Sequence, residues 1–497
     1  MIERSIVLTP AQEPLVHLPT EGQFLVRGAA GSGKTTVALA RALHLARQPL
    51  LHGSARVLLL ARTPALAAAL ARTLAARGGD AAKRVEASAP LLWSRATLGL
   101  TGAPPQLDEE TFARLVDEAL HRERRRSRRQ LLRRPLRFFT SEISSMILAL
   151  GVERFDQYGL IDREGRGSSL DEESRRTIWG VFETFRGLAR ALGREPAHAL
   201  VPPALARLAA ARTRPYDHVV VDDAHRLAPV ELRLVRTLAA AGSLTLFAAL
   251  EQPFDPIAAT LRELGLDRLD RTEVLPRVLR GPAPIFTAAL TVLRKKLRGD
   301  GDLAAILPGT VEGARPRLLL APDGPQELTA ALGEIRRWTG EGRKLREIGV
   351  VAMRRVPLEL LAAQLASEGI AARWLGDEAP GADTDDADDD AVALCPLEHA
   401  PGREFPVVLL IDANRGCFPR LPSELADHER PFVDETARRD LHLAMTRATE
   451  ELVVVATEAT RAPALPMKLL NVERLAATPA EAAPDVTGDE RAAAVTS

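Results

Sequence analysis

The sequence predicts an α/β fold of two successive parallel-sheet domains, the first interrupted by a helical insertion. Three observations predict it. A short apolar run, Gln23 to Arg27, leads into a Gly-rich loop and then into a helix. Continuous apolar runs, suited to strands buried on both faces, recur between helical stretches in both halves of the chain. Between residues 96 and 199 that alternation stops and the pattern reads helical.

Gly28-Ala29-Ala30-Gly31-Ser32-Gly33-Lys34-Thr35 fits the phosphate-loop pattern Gly-x-x-x-x-Gly-Lys-Ser/Thr, with Thr36 opening the helix that follows. The glycines let backbone N–H groups curl around phosphates. Lys34, expected on a solvent-facing loop, supplies a point charge, and Thr35 offers a hydroxyl to Mg²⁺. ATP and Mg²⁺ are the cofactors this implies. Upstream, Thr9 can cap a helix with Pro10 at its first position. Gln12 on that helix is either a surface glutamine or an amide able to read the adenine edge.

Arg56 to Ala61 reads as a buried strand with Thr63 just beyond its C-terminal end. Thr63 either contacts nucleic acid or caps the next helix. Within the helical stretch, His121 to Phe139 is dense in arginine, including Arg124, Arg125, Arg128 and Arg129. Arginine pairs bidentately with phosphates, so the run suggests a nucleic-acid contact, whereas most charge runs are solvated helix faces. Within Tyr216 to His225 an apolar strand ends in two acids, Asp222-Asp223. Asp222 suits a Mg²⁺ ligand and Asp223 a water-orienting carboxylate. Ser243 to Leu250 is another strand, with Gln252 just past it. Further strands are expected at 317–320, 348–352, 392–394, 407–411 and 452–456, with helices at 359–366 and 434–448. Gly376 to Asp390 is an acidic loop, and 476–497 reads as a disordered tail.

Composition narrows the class. The 497 residues are 46% apolar, enough for two or more cores. Lys+Arg and Asp+Glu are both 66, so any nucleic-acid binding must use local patches. Aromatics are only 4%, which keeps base-stacking platforms few. Two cysteines exclude a disulfide scaffold and suit a reducing cytoplasm. No apolar run is long enough for a membrane span, so no membrane partner is expected.

Taken in order, these stretches resemble superfamily 1 helicases of the UvrD/Rep type over most of the chain. The resemblance implies two tandem RecA-like P-loop NTPase domains: 1–95 with 200–284, carrying the Arg-rich insertion 96–199, and then 285–475. Gln12 matches the family's adenine-reading glutamine, and Thr63 its Ia motif. Asp222-Asp223-Ala224-His225 falls where the family has Asp-Glu-Ala-Gln. Gln252 matches the third motif, and Arg280 a γ-phosphate contact of the fourth. Glu404 matches a ribose contact. Arg447, within Leu443 to Ala448, matches the arginine finger. The implied function is an ATP-driven translocase or helicase moving 3′ to 5′ on single-stranded DNA.

Several positions depart from the family. Asp223 replaces the catalytic Glu and His225 replaces Gln. Ala248-Ala249-Leu250 replaces the Gly-Asp of the third motif. Glu398 and Pro401 replace the His and Lys of the fifth, Arg62 replaces a DNA-stacking Phe, and only the acidic loop stands where the family has its 2B insertion. These changes point to an alternative, a nucleotide-switched ATPase that binds nucleic acid or a protein partner without unwinding. A small-molecule kinase on the same loop is a weaker alternative.

Overall fold

The computed structural model describes residues 6–29, 31–50, 53–100, 106–161, 170–211, 214–239, 243–249, 269–275, 277–278, 281–294, 311–375, 390–400, 403–418 and 430–476. The described residues divide chiefly into two units, one within 1–286 and one within 313–420 and 440–497.

The first unit holds a six-stranded, all-parallel sheet. Its strands are β1 (Gly22–Gly28), β2 (Val57–Leu60), β3 (Val85–Ser88), β4 (His218–Val221), β5 (Ser243–Ala249) and β6 (Arg271–Leu275). They lie in the order β3-β2-β4-β5-β1-β6. The central strands β2, β4 and β5 are buried at every residue, as continuous apolar runs demand. At the edge, β6 is exposed at its first two residues and reads Arg-Thr-Glu-Val-Leu. Because all strands run the same way, the loops after β1 and β4 emerge at one edge of the sheet. Ligands of open α/β sheets bind at that carboxyl edge.

Helix α1 (Lys34–Arg47) follows β1, and α2 (Pro64–Arg77) follows β2. One core packs α1 and α2 on the sheet through Val37, Leu43, Leu45, Leu70 and Leu74. The segment between β3 and β4 is helical. It includes α3 (Glu109–Arg126) and α4 (Glu172–Ala191), which pair around a separate core of Leu120, Phe139, Ile143, Tyr158, Phe182 and Phe185. The expected helical insertion thus has its own apolar centre. One turn of π-helix, Ile143–Leu148, interrupts its regular geometry.

The second unit is a seven-stranded parallel sheet. Its strands are β7 (Arg317–Ala321), β8 (Ile348–Ala352), β9 (Ala372–Trp374), β10 (Val392–Pro396), β11 (Phe405–Leu410), β12 (Ala448–Thr457) and β13 (Asn471–Arg474), in the order β9-β10-β8-β11-β12-β7-β13. Helices α5 (Gly324–Gly340) and α6 (Arg355–Ser367) pack on it through Ile335, Trp338, Leu358 and Leu361. Gly349 in β8 lies under the aromatic ring of Phe405, so close that a β-carbon there would enter the ring. Both units therefore contain parallel α/β sheets. Of the acidic loop only Asp390 is described, accepting the Arg346 N–H at 3.0 Å, and the tail from 477 lies outside the described residues. No helix among the described residues is long and apolar enough to cross a membrane.

Candidate phosphate-binding site

The chain leaves β1 at Gly28, turns through the Gly-rich loop and enters α1 at Lys34. Gly31 and Gly33 have φ of 74° and 85°, left-handed values that a side chain disfavours. Gly28 is needed for a different reason. A β-carbon there would stand 2.5 Å from Ser32 Oγ and 3.0 Å from Leu275 Cβ. Glycine at these three positions lets the loop close tightly over the strand ends.

Lys34 is not on a solvent-facing surface, as the sequence suggested, but only 9% exposed. Its Nζ donates to the carbonyls of Gly28 at 2.8 Å and Ala29 at 3.0 Å. The ammonium is thereby held over the loop. Ser32 Oγ is buried with no hydrogen-bond partner among the described residues. An orphaned hydroxyl beside a held ammonium fits an anion with several oxygens, because each buried polar group otherwise carries a desolvation cost. Ala29 is buried and Thr36 lies in the first turn of α1.

Across the sheet edge, the Thr35 hydroxyl donates to Asp222 Oδ2 at 2.7 Å. Asp222 sits just past β4 and is buried. Burial, and then the neighbouring Asp223 carboxylate, push its pKa up, while the Thr35 hydrogen bond and the Lys34 charge oppose the rise. A buried carboxylate joined to a hydroxyl is a donor set suited to a hard divalent cation, which takes oxygen ligands. Mg²⁺ therefore fits at Thr35 and Asp222. Asp223 follows in the left-handed region, at φ 53° and ψ 41°. Aspartate tolerates that region better than longer side chains, because its short polar group bonds locally. His225 is buried, and its Nδ1 accepts the Ala249 N–H at 3.1 Å. His225 thus links the acidic turn to the end of β5.

Gln12 also reaches this loop. The helix expected to start at Pro10 instead runs from Glu13 to Val16, with Gln12 at its N-cap. Thr9 does not cap it through its side chain. Rather, the Thr9 N–H donates to Gln12 Oε1 at 3.0 Å. Gln12 Nε2 donates to the Ser32 carbonyl at 3.1 Å, and the residue is 3% exposed. The surface-glutamine alternative is therefore set aside.

The remaining candidates stand elsewhere. Thr63 caps α2, its Oγ1 accepting the Leu66 N–H at 3.3 Å. In the helical segment, Arg124 donates to the carbonyls of Leu132 and Arg134, and Arg129 to Thr177 Oγ1 at 2.6 Å. These two arginines hold the segment itself together. Arg125 and Arg128 are exposed, as is Arg133 nearby. In the second unit Arg447 is buried, with Nε on the Leu443 carbonyl at 3.1 Å and Nη1 on the Arg403 carbonyl at 3.0 Å. Glu404 is exposed. Ala30, Gln252 and Arg280 lie outside the described residues.

Two features escaped the sequence reading. Arg41, in the middle of the apolar helix α1, is buried against carbonyls upstream of β1. A lone arginine amid Ala and Leu on a helix was the available signal. The second is a buried polar network. Glu327 accepts from Asp412 N–H, Asn414 Nδ2 and Thr457 Oγ1, while Arg354 pairs bidentately with Asp412 at 2.7 and 2.8 Å. Its groups lie far apart in sequence, so no local pattern announces it.

No family model matches the chain, and no curated protein is similar to it. Among solved structures, the chain is similar to the C-terminal domain of a possible DNA helicase from Lactobacillus plantarum WCFS1. The identity is 16% and the TM-score 0.28, over 39% of this chain and 98% of that one.

Proposed function

We propose that the chain is a P-loop ATPase with two RecA-like domains, coupling ATP hydrolysis to movement on single-stranded nucleic acid, most simply DNA. The observation that carries this reading is the convergence at one sheet edge of the Lys34 ammonium, the orphaned Ser32 hydroxyl and the hydrogen-bonded Thr35–Asp222 pair. Lys34 and the loop N–H groups would bind the phosphates. Thr35 and Asp222 would hold Mg²⁺, which when bound supplies positive charge to the transferring phosphoryl oxygens. Asp223 would orient the attacking water, and Gln12 would read the base. Arg447, whose guanidinium donates to the Leu443 and Arg403 carbonyls and to Thr446 Oγ1, would stabilise the charge of the transferring phosphoryl group. Arg280 and Gln252 keep the roles that the family resemblance implies. Exposed Arg125 and Arg128 would contact the nucleic-acid backbone.

The second reading, a nucleotide-switched binding protein, is favoured by Arg124 and Arg129, which serve the helical segment rather than a partner. The test is the ATPase rate with and without single-stranded DNA, in wild type and Lys34→Ala. A DNA-stimulated rate that Lys34→Ala abolishes supports the translocase. ATP binding with no stimulation supports the switch. A folded Lys34→Ala protein that hydrolyses ATP normally removes the phosphate-loop reading altogether.

A further inference from the structure

Arg41 is 1% exposed, and among the described residues no carboxylate pairs with it. Its Nη1 donates to the carbonyls of Val16 at 3.0 Å and Leu18 at 2.5 Å, and its Nη2 to that of Pro19 at 2.5 Å. Burial lowers its pKa to about 10. Burying a charge without a counter-ion is expensive, and an apolar side chain of similar volume commonly serves stability as well or better. The cation is therefore placed where its geometry is used. All three carbonyls belong to one strap, residues 16–19, which leads from the end of the short helix that follows Gln12 toward strand β1.

The strap is pinned at two further points. Ser243 Oγ donates to the Thr20 carbonyl at 2.8 Å, and the His17 ring meets that of His44 edge-on at 4.5 Å. Arg41 itself stands about 10 Å along α1 from Lys34, two helical turns. One rigid helix thus carries the phosphate-side groups at its start and the clamp on the Gln12 segment further along. The Gln12 amide is held with its oxygen on Thr9 N–H and its nitrogen on the Ser32 carbonyl.

We propose that Arg41 is a positioning residue for nucleotide-base recognition: its guanidinium fork fixes the strap to α1 and so sets the Gln12 amide relative to the phosphate loop. This rests on the loop being an ATP site. A lysine at 41 keeps the charge but lacks the planar fork that serves several carbonyls at once.

The test uses the full chain as wild type, Arg41→Lys, Arg41→Met, Gln12→Ala and the Gln12→Ala/Arg41→Lys double variant. Steady-state hydrolysis of ATP and of GTP and the thermal midpoint are measured for each. Arg41→Lys should reduce the ATP-over-GTP ratio of kcat/KM by about tenfold, with the loss falling on KM for ATP. Arg41→Met should reduce it further. The double variant should match Gln12→Ala, because both substitutions remove the same oriented amide. An Arg41→Lys protein with a lower midpoint but an unchanged ratio overturns the proposal and leaves a purely structural clamp. A wild type that hydrolyses both nucleotides equally overturns it too, while leaving the phosphate loop intact. If wild type turns over neither nucleotide, the ATPase reading itself fails, and the role of Arg41 falls with it.

Discussion

Gly28→Ala places one methyl group at the tightest point of the phosphate loop. The backbone there is not left-handed, so the effect is steric. The new carbon would meet Ser32 Oγ at 2.5 Å, Leu275 Cβ at 3.0 Å and Lys34 Cγ at 3.3 Å. Ser32 Oγ, which has no hydrogen-bond partner among the described residues, can turn only partly aside. Leu275 cannot, because its β-carbon is fixed by the parallel pairing of Gly28 with Leu275. The strain must be relieved by parting β1 from β6 or by moving Lys34. Overpacking of this kind costs about 1–3 kcal/mol. The stiffer unfolded chain offsets roughly 0.4–1 kcal/mol of that. A net loss of about 1–2 kcal/mol should appear as a lower urea midpoint with an unchanged slope. A displacement of Lys34 by about 1 Å should lower ATP turnover on the order of 100-fold. Adding Ser32→Ala removes the hydroxyl that crowds the new methyl and should restore part of the stability. If Gly28→Ala keeps both its urea midpoint and its turnover, the loop is not packed as described.

Three other outcomes are expected. Converting Arg125, Arg128 and Arg133 to Ala should lower the log–log salt slope of single-strand binding by roughly 0.7 for each phosphate that is no longer neutralised, whereas Arg124→Ala with Arg129→Ala should instead lower the thermal midpoint; equal effects on binding would show that the run is not divided in this way. Asp223→Glu tests the acidic turn by kcat under saturating ATP. A carboxylate one methylene longer, reaching the attacking water, would give a gain of about tenfold, but the left-handed backbone disfavours glutamate more than aspartate, so a gain of less than tenfold with roughly 1 kcal/mol of lost stability is expected. Cys395 and Cys417 are fully buried, and burial raises their thiol pKa to about 11 and about 12 respectively. Neither should react with a disulfide reagent at pH 8 until the chain is unfolded, and rapid native labelling of either would contradict that burial.

Much of the fold is legible because buried parallel strands leave an unmistakable apolar run. Val-Leu-Leu-Leu of β2, His-Val-Val-Val of β4 and the stretch through β5 lie within a residue or two of the runs that announce them. Edge and short strands are not legible in this way. Val85–Ser88 is polar at its second residue, Arg271–Leu275 is exposed at its first two residues, Asn471–Arg474 is exposed throughout, and a strand that need not be buried on two faces carries no strong pattern. The phosphate loop and Asp222 are legible because their chemistry is local in sequence. What the loop's side chains do is less so. The bond of Arg129 to Thr177 and the clamp by Arg41 depend on contacts between segments that the sequence separates, and the Lys34 ammonium is held by the way the loop folds back on itself.

The glycine beneath Phe405 bears on how the second sheet assembles. Strand β8 pairs with β11 as Ile348 with Val407 and Gly349 with Val408, and nearly every residue of both is buried and apolar. Such strands have no polar face to expose when they slide, so hydrophobicity alone does not choose among their registers. The ring of Phe405 does choose. Shifted along β8 in either direction, it would press on Ile348 or Val350, each of which carries a branched side chain. Gly349, the residue of β8 without a side chain, is where the ring fits closest. Long-range parallel pairing is intrinsically slow, and a register that set the ring of Phe405 against a branched side chain would carry the strain of an overpacked contact.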